Sequence, residues 1–152
     1  MQPLNIPMAQ LSIRNDGKNQ QVFDIVRKKY VALTPEEWVR QNFLHYLINY
    51  KKFPSGLIKT ETGLKIYSTQ KRTDITIYNR QAIPLAVVEC KAPTVDITQQ
   101  VFDQISRYNI NLRAKLLIVT NGLKTYNIVY HKDSNQYNFL SQTPFYEEIE
   151  NL

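Results

Sequence analysis

The stretch that decides the fold is residues 85–121, LAVVECKAPTVDITQQVFDQISRYNINLRAKLLIVTN. It opens on an apolar run that leads straight into Glu89 and Lys91, which is typical of a buried strand with charged residues at its end. Apolar residues then recur at helical spacing from about 97 to 111, and a second apolar run at 114–121 predicts another buried strand. The strand–helix–strand order predicts a right-handed crossover, and hence an α/β domain with a mixed central sheet flanked by helices.

The rest of the chain predicts further strands and one clear helix, at 33–50. Thr34 can cap this helix, Pro35 suits its first position, and Glu37 can complete a capping box. Its apolar stripe consists of Phe43, Leu44, Leu47 and Ile48. Around these elements we expect a hairpin in 11–26 about an Asn15-Asp16-Gly17 turn, strands at 57–61, 74–79, 85–91 and 124–131, and a short helix in the tail.

The composition fits one globular domain spanning 1–152, with its core at about 25–125. A formal charge of +6 and a pI near 9.4 favour a polyanionic partner such as DNA. The single cysteine permits neither an internal disulfide nor a cysteine zinc site. Since we see no signal peptide and no apolar run of membrane-spanning length, we expect a cytoplasmic protein without membrane contact.

Two acidic residues are expected to meet at one edge of the sheet. If the strands at 74–79 and 85–91 are hairpin neighbours, Asp74 and Glu89 lie side by side, and Lys91 points the same way as Glu89. Paired carboxylates repel one another unless a cation lies between them. Mg²⁺, or alternatively Mn²⁺, suits such ligands and can activate water against a phosphodiester. The residues therefore predict a metal-dependent nuclease, with Lys91 stabilising charge on the phosphate.

A bare acid-x-Lys pattern carries little weight, because Asp16-Gly17-Lys18 also satisfies it. Only the copy at 89–91 follows a buried strand and has an acid on the preceding strand. The competing interpretation is a simple salt bridge between Glu89 and Lys91 at the strand end. If instead the acids converge, we expect only Lys91 to offset their repulsion in the metal-free protein. Asp74→Asn would then leave metal-free stability unchanged or raise it slightly.

These residues resemble the PD-(D/E)xK nuclease superfamily with an added Q-x-x-x-Y motif, here Gln104 to Tyr108 on the second helix. The wider sequence resembles the N-terminal nuclease domain of type I restriction enzyme R subunits. Five segments carry that resemblance in order: TPEEWVRQNFLHYLI, KRTDITIYN, AVVECKAP, FDQISRYN and LIVTNG. It implies a restriction-endonuclease-like core that acts on DNA, in company with other restriction-modification subunits.

The resemblance also implies roles for individual residues. Asp74, Glu89 and the backbone carbonyl of Cys90 would bind Mg²⁺, Lys91 would be the catalytic lysine, and Gln104 and Tyr108 would support the lysine and the phosphate. The chain departs from the pattern in two ways. Thr73 stands where the superfamily has its name-giving proline, and no glycine belongs to a G-x-x-x-x-G-K-[ST] loop, so no ATP-driven motor is expected in this chain.

Several alternatives stay open at this stage. Gln104 and Tyr108 could be a half-exposed helix face, and Glu37 is better explained as the capping-box residue than as an acid near the metal, with Glu36 an equal candidate. Function could also be that of a catalytically silent nucleic-acid-binding subunit, or of a repair or junction nuclease. Phosphate contacts are expected among basic residues close to the site in sequence, namely Lys71, Arg72, Arg107, Arg113 and Lys115.

Overall fold

The computed structural model describes the backbone of residues 1–66 and 69–152, and the side chains of 1–60 and 74–152. Its strands form a three-stranded sheet, β1-β2-β3, and a six-stranded sheet in the order β4-β5-β6-β7-β8-β9. The helices and strands are β1 Ile13–Asp16, β2 Asn19–Asp24, β3 Lys29–Ala32, α1 Pro35–Asn49, β4 Ile58–Ile66, β5 Thr69–Tyr78, β6 Pro84–Cys90, α2 Gln99–Leu112, β7 Leu116–Thr120, β8 Thr125–His131 and β9 Gln136–Leu140, with 3₁₀ turns at Ser55–Leu57 and Tyr146–Asn151.

The large sheet is mixed, as predicted. β6 and β7 run parallel with Cys90 opposite Thr120, and α2 connects them, which confirms the predicted strand–helix–strand unit. β5 and β6 form the expected antiparallel hairpin, and β8 returns antiparallel to β7 after the Asn121-Gly122 turn. The carboxyl ends of β6 and β7 therefore lie side by side at one edge of the sheet.

The two helices pack on opposite faces of the large sheet. On one face the apolar stripe of α1, including Phe43 and Leu47, packs against Ile75, Val88 and Cys90. On the other face, α2 contributes Val101 and Ile105 to a second cluster with Val87, Leu117, Val119 and Ile128. This alternation follows from the period of two along a strand, so β6 is buried on both sides. In the parts of the chain that the structure describes, no helix combines the length and the apolar character needed to cross a membrane.

The structure adds two strands that the sequence did not predict, β3 and β9. β9 has four exposed residues out of five, so it lacks the apolar alternation on which strand prediction depends. β3 turns the expected N-terminal hairpin into a separate three-stranded sheet. β5 also begins five residues before the predicted Asp74, because its polar first half pairs with β4 alone.

Candidate active site

Asp74 and Glu89 lie where β5 separates from β6. The last paired residues of the two strands are Ile75 and Val88, so Asp74 and Glu89 occupy the next opposed positions, at the end of the ladder. The Asp74 Oδ2 atom accepts a hydrogen bond of 2.7 Å from the backbone N–H of Cys90. Asp74 thus accepts the hydrogen bond that a backbone carbonyl of β5 would accept if the ladder continued. The side chains of Asp74 and Glu89 lie next to each other, as the sequence predicted.

Glu89 is a buried carboxyl group with one oxygen left over. Its Oε1 atom is 3.3 Å from Lys91 Nζ, whereas Oε2 is buried and has no hydrogen-bond partner among the described residues. Burial, and next the charge of Asp74, raise the pKa of Glu89 to about 8, although Lys91 acts in the opposite direction. Such a group lowers the stability of the metal-free fold, because burying a polar atom without a hydrogen bond costs free energy.

Arg40 of α1, which was not among the predicted site residues, is the main counter-ion of Asp74. Its buried guanidinium donates from Nη2 to Asp74 Oδ1 at 2.7 Å and to Glu36 Oε1 at 2.9 Å, and it also forms an ion pair with Glu37. Burial is the largest single effect and would lower the pKa of Arg40, but the charge and hydrogen bond of Asp74, together with the charges of Cys90 and Glu36, raise it overall. The expectation that only Lys91 offsets the two acids is therefore wrong.

The buried charges continue from Glu37 toward the small sheet. Glu37 accepts hydrogen bonds from Arg27 at 3.2 Å and from Gln41 at 3.1 Å, and Arg27 Nε lies 2.6 Å from Asp24. Burial works to raise the pKa of Asp24, but hydrogen bonds and charge from Arg27 lower it overall. A chain of ion pairs thus links Asp24 at the end of β2, through α1, to Asp74 on β5.

This chain corrects the interpretation of Glu37. Thr34 Oγ1 accepts from the Glu37 N–H at 3.1 Å, so the predicted N-cap is confirmed. However, the Glu37 carboxylate is buried against Arg27, Arg40 and Gln41, and within the described residues it makes no return bond to the cap. The cap therefore explains the bond of the Glu37 N–H group, whereas the buried ion pairs explain the position of its carboxylate. The sequence did contain a signal for these ion pairs. Arg40 follows Glu36 and Glu37 by four and three residues on the buried side of α1, a spacing at which helical side chains meet.

The two residues of the Q-x-x-x-Y pattern lie on α2 in different environments. Gln104 is half-buried, whereas Tyr108 is buried, with 4% of its surface exposed. Neither side chain is hydrogen-bonded to Asp74, Glu89 or Lys91 within the described part of the chain. The half-exposed helix face proposed as the alternative thus fits Gln104 and not Tyr108, and the supporting role of both residues stays a prediction.

The basic residues named from the sequence divide into three groups. The side chains of Lys71 and Arg72 lie outside those that the structure describes, and Arg107 is exposed on α2. Arg113 and Lys115 precede β7, at the end of the sheet opposite the site. The Lys115 N–H bonds the Leu85 carbonyl, four residues or about 13 Å of strand away from Glu89. Arg113 and Lys115 are therefore close to the carboxylate pair in sequence but not in space, and their contact with phosphate stays a prediction.

The donor set suits a hard cation better than a soft one. Among the described residues, no three His, Cys, Asp or Glu side chains converge into a metal-binding group. Burial raises the pKa of the Cys90 thiol well above its usual value, and the side chain packs in the core under α1, which leaves the backbone carbonyl as the Cys90 group facing the site. The unpartnered Glu89 oxygen, together with the Asp74 carboxylate, fits an ion such as Mg²⁺, which takes one or two carboxylates and completes its shell with water.

The fold and the site define a mixed-sheet α/β domain with a carboxylate pair and a lysine at adjoining strand ends. The chain belongs to the family described as type I restriction enzyme R protein N terminus (HSDR_N), whose family model matches residues 35–144. A similar solved structure is the fragment of an HsdR subunit of a type I restriction enzyme from Vibrio vulnificus YJ016. It aligns with a TM-score of 0.59 at 20% identity over 78% of this chain, which covers 25% of that one. No curated protein matches the sequence.

Proposed function

We propose that this domain is a metal-dependent endonuclease that hydrolyses DNA phosphodiesters. The observation that carries the proposal is the Glu89 Oε2 atom, which is buried beside Asp74 and has no hydrogen-bond partner among the residues that the structure describes, while Oε1 of the same group is 3.3 Å from Lys91 Nζ. Because the pKa of Glu89 is raised from 4.5 to about 8, this carboxyl group makes the metal-free fold less stable as pH rises between those two values, and a structural salt bridge gains nothing from such an arrangement. A divalent cation would compensate it. Membership of the restriction-enzyme family supports the same assignment.

Each residue then has a defined task. Asp74 and Glu89 would hold Mg²⁺, with the Cys90 carbonyl as a further ligand. When bound, the ion would polarise the phosphodiester and lower the pKa of a bound water. Lys91 has about a quarter of its side chain exposed, so its ammonium group can reach both Glu89 and an incoming phosphate. Arg40 would keep the Asp74 carboxylate in place while its other oxygen remains bonded to the Cys90 N–H.

One observation favours a second candidate, a catalytically silent nucleic-acid-binding subunit. Both oxygens of Asp74 already accept hydrogen bonds, one from Arg40 and one from Cys90. A metal that binds Asp74 must therefore share its carboxylate oxygens with Arg40 and the Cys90 N–H group. Each carboxylate oxygen has two lone pairs, so sharing is chemically feasible, and we favour the nuclease.

The two candidates are separated by a plasmid-nicking assay in Mg²⁺ or Mn²⁺. We expect the wild type to convert supercoiled plasmid to nicked and linear forms, and Lys91→Ala to lose this activity by about 100-fold or more, the size of effect of removing one charge-stabilising group. Lys18→Ala is the matched control, because Lys18 belongs to the other acid-x-Lys pattern and lies in the exposed β1–β2 turn. Equal nicking by wild type and Lys91→Ala would contradict the proposal.

Metal binding can be tested without turnover. We expect Mg²⁺ to raise the melting temperature of the wild type, because a ligand that binds only the folded state stabilises it by mass action. Glu89→Gln should lose this shift. If Mg²⁺ changes neither melting temperature and no nicking is detected while DNA is still bound, the silent binding subunit is the correct function.

As to context, we propose that the domain works with other restriction-modification subunits. The chain spans a quarter of the Vibrio vulnificus chain to which it is similar. An ATP-driven motor would then be supplied by a separate segment or subunit.

A further inference from the structure

A row of aligned residues crosses the sheet from the carboxylate site to an aromatic cluster. Glu89 on β6 is in register with Val119 on β7, and Val119 is in register with Tyr126 on β8. Residues that face one another across neighbouring strands point to the same side of a sheet, so Glu89 and Tyr126 share the face that carries α2. Two strand spacings separate them, which is about 10 Å.

Three aromatic rings meet at the Tyr126 end of this row. Phe102 of α2, Tyr126 of β8 and Phe139 of β9 lie with their ring centroids 5.4, 6.1 and 6.4 Å apart in edge-to-face arrangements. Phe102 and Tyr126 are half-buried, but Phe139 is 65% exposed on the edge strand of the sheet. The two inner rings hold the outer one in place while leaving much of it open to solvent.

We propose that this trio, Phe102, Tyr126 and Phe139, is a stacking site for an unpaired base of the bound nucleic acid. The inference rests on the proposed function, since it specifies which form of nucleic acid the same site would bind. The rise of a stacked strand is about 3.4 Å per nucleotide, so 10 Å places Tyr126 within about three nucleotides of a phosphate held at Glu89 and Lys91, and Phe139 lies one strand farther on. Aromatic side chains bind bases of any sequence by stacking, which agrees with the lack of a recognisable base-reading helix in the described parts of the chain.

The occupant follows from charge and position. The chain carries a net charge of +6, and the exposed Lys124 lies two residues before Tyr126, so the surroundings attract a polyanion. The trio also shares its sheet face with the candidate phosphodiester site. An exposed ring that served only to attach another protein would not need this alignment with the carboxylates. The preferred substrate is therefore DNA with a single-stranded or unpaired segment next to the cleavage point.

The site can be tested by fluorescence anisotropy in chelator, where no cleavage takes place. The probes are a labelled oligothymidine strand and a blunt duplex of equal length. We expect Phe139→Ala to bind the single strand about ten-fold more weakly, within the range of effects known for base–aromatic stacking, and the duplex with nearly unchanged affinity. Phe139→Trp should retain single-strand binding, whereas Phe139→Leu should behave like the alanine variant, because leucine keeps the apolar surface without a π-face.

Phe145→Ala is the matched control. Phe145 lies in the C-terminal segment and is also exposed, but its ring contacts Lys51 and not the trio. It should leave both affinities at the wild-type level. Equal loss of single-strand and duplex binding by Phe139→Ala would overturn the proposal, as would wild-type binding by Phe139→Leu. A change of oligomeric state in Phe139→Ala, with unchanged binding, would identify the trio as a protein interface instead. Because binding is measured without metal, a failure of the nuclease proposal shows itself separately, in the Lys91→Ala nicking assay.

Discussion

At the scale of single residues, the site contains two acids with opposite energetic roles. Asp74 is satisfied, since one oxygen bonds Arg40 and the other bonds the Cys90 N–H. Glu89 has one oxygen near Lys91 and one without a described partner. Burial, and next the charge of Asp74, raise the pKa of Glu89 to about 8. Neutralising each acid in turn should therefore have opposite effects.

The first prediction concerns Glu89 and pH. A carboxyl group whose folded pKa is raised binds its proton more tightly in the folded state, so folding becomes less favourable as pH rises from the ordinary pKa of 4.5 toward about 8. Measured in chelator, the free energy of unfolding of Glu89→Gln should equal that of the wild type near pH 4. It should then exceed it by an amount that grows at up to about 1.4 kcal/mol per pH unit and levels off above pH 8. Urea unfolding across this range checks it. A difference that is independent of pH would show that Glu89 is adequately paired in the metal-free protein.

At the scale of elements, α1 does more than cover one face of the sheet. Its Glu36, Glu37 and Arg40 form the ionic contact between Asp74 on β5 and the small sheet. α1 therefore positions the Asp74 carboxylate from outside the sheet, while β6 positions it through the Cys90 N–H. Buried ion pairs of this kind add little net stability, but breaking one leaves an uncompensated charge.

The second prediction is a double-mutant cycle between Arg40 and Asp74 in chelator. Arg40→Gln should lower the free energy of unfolding by about 3–5 kcal/mol, because it leaves buried carboxylates uncompensated. Asp74→Asn should lower it by about 1–3 kcal/mol, since Arg40 loses one charged acceptor, and this reverses the sign expected from the sequence. The two losses should not add, with a coupling energy of about 0.5–3 kcal/mol in urea unfolding.

The control for this cycle pairs Asp74→Asn with Arg14→Gln. Arg14 lies on β1, where it contacts Gln21 and Tyr30, so these two changes should be additive. If Arg40→Gln and Asp74→Asn were additive as well, Arg40 would not be the residue that holds Asp74.

The third prediction concerns the α2 residues over β6 and β7. Gln104→Ala should change stability by no more than about 0.5 kcal/mol, because Gln104 is half-exposed, yet it should reduce cleavage per folded molecule. Tyr108→Ala should cost about 3 kcal/mol because the ring is buried, so Tyr108→Phe is the informative change. Gln100→Ala, an exposed glutamine on the same helix, serves as the control. Unchanged cleavage in Gln104→Ala and Tyr108→Phe would show that both residues serve packing alone.

At the scale of the whole molecule, charge is distributed unevenly. The chain has 19 lysines and arginines against 13 acidic residues, yet the described site gathers Asp24, Glu36, Glu37, Asp74 and Glu89 at the strand ends and α1. The positive excess must therefore lie mainly on the remaining surface. If the domain binds DNA as proposed, such a distribution would attract the phosphate backbone broadly and keep the acidic residues together at the site.

The fourth prediction follows from that distribution. Binding to duplex DNA should weaken steeply and linearly in a plot of log affinity against log salt, with a slope of about −0.9 for each phosphate contacted. Duplexes of equal length and different sequence should bind alike. Anisotropy titrations at several salt concentrations measure both properties. A flat salt response, or strong preference for one short sequence, would show that base contacts rather than phosphates dominate binding.

The sequence by itself determined the central unit of the fold. The apolar runs of β6 and β7 and the periodic α2 between them leave little choice but a parallel pair with a helical crossover, because burial on both faces requires such runs. The Thr34 cap and the meeting of Asp74 with Glu89 were equally local, since turn length and alternation specify which residues end up opposite.

Only the tertiary structure decided which charges compensate each other and which surfaces adjoin the site. Arg40 is 34 residues away from Asp74 in sequence, and the aromatic trio is assembled from α2, β8 and β9. No periodicity encodes contacts of this kind. Electrostatic partnership depends on burial and on distances of a few ångströms between elements, and both arise only when the helices pack on the sheet. For the same reason, Arg113 and Lys115 are close to the site in sequence but lie at the opposite end of the sheet in space.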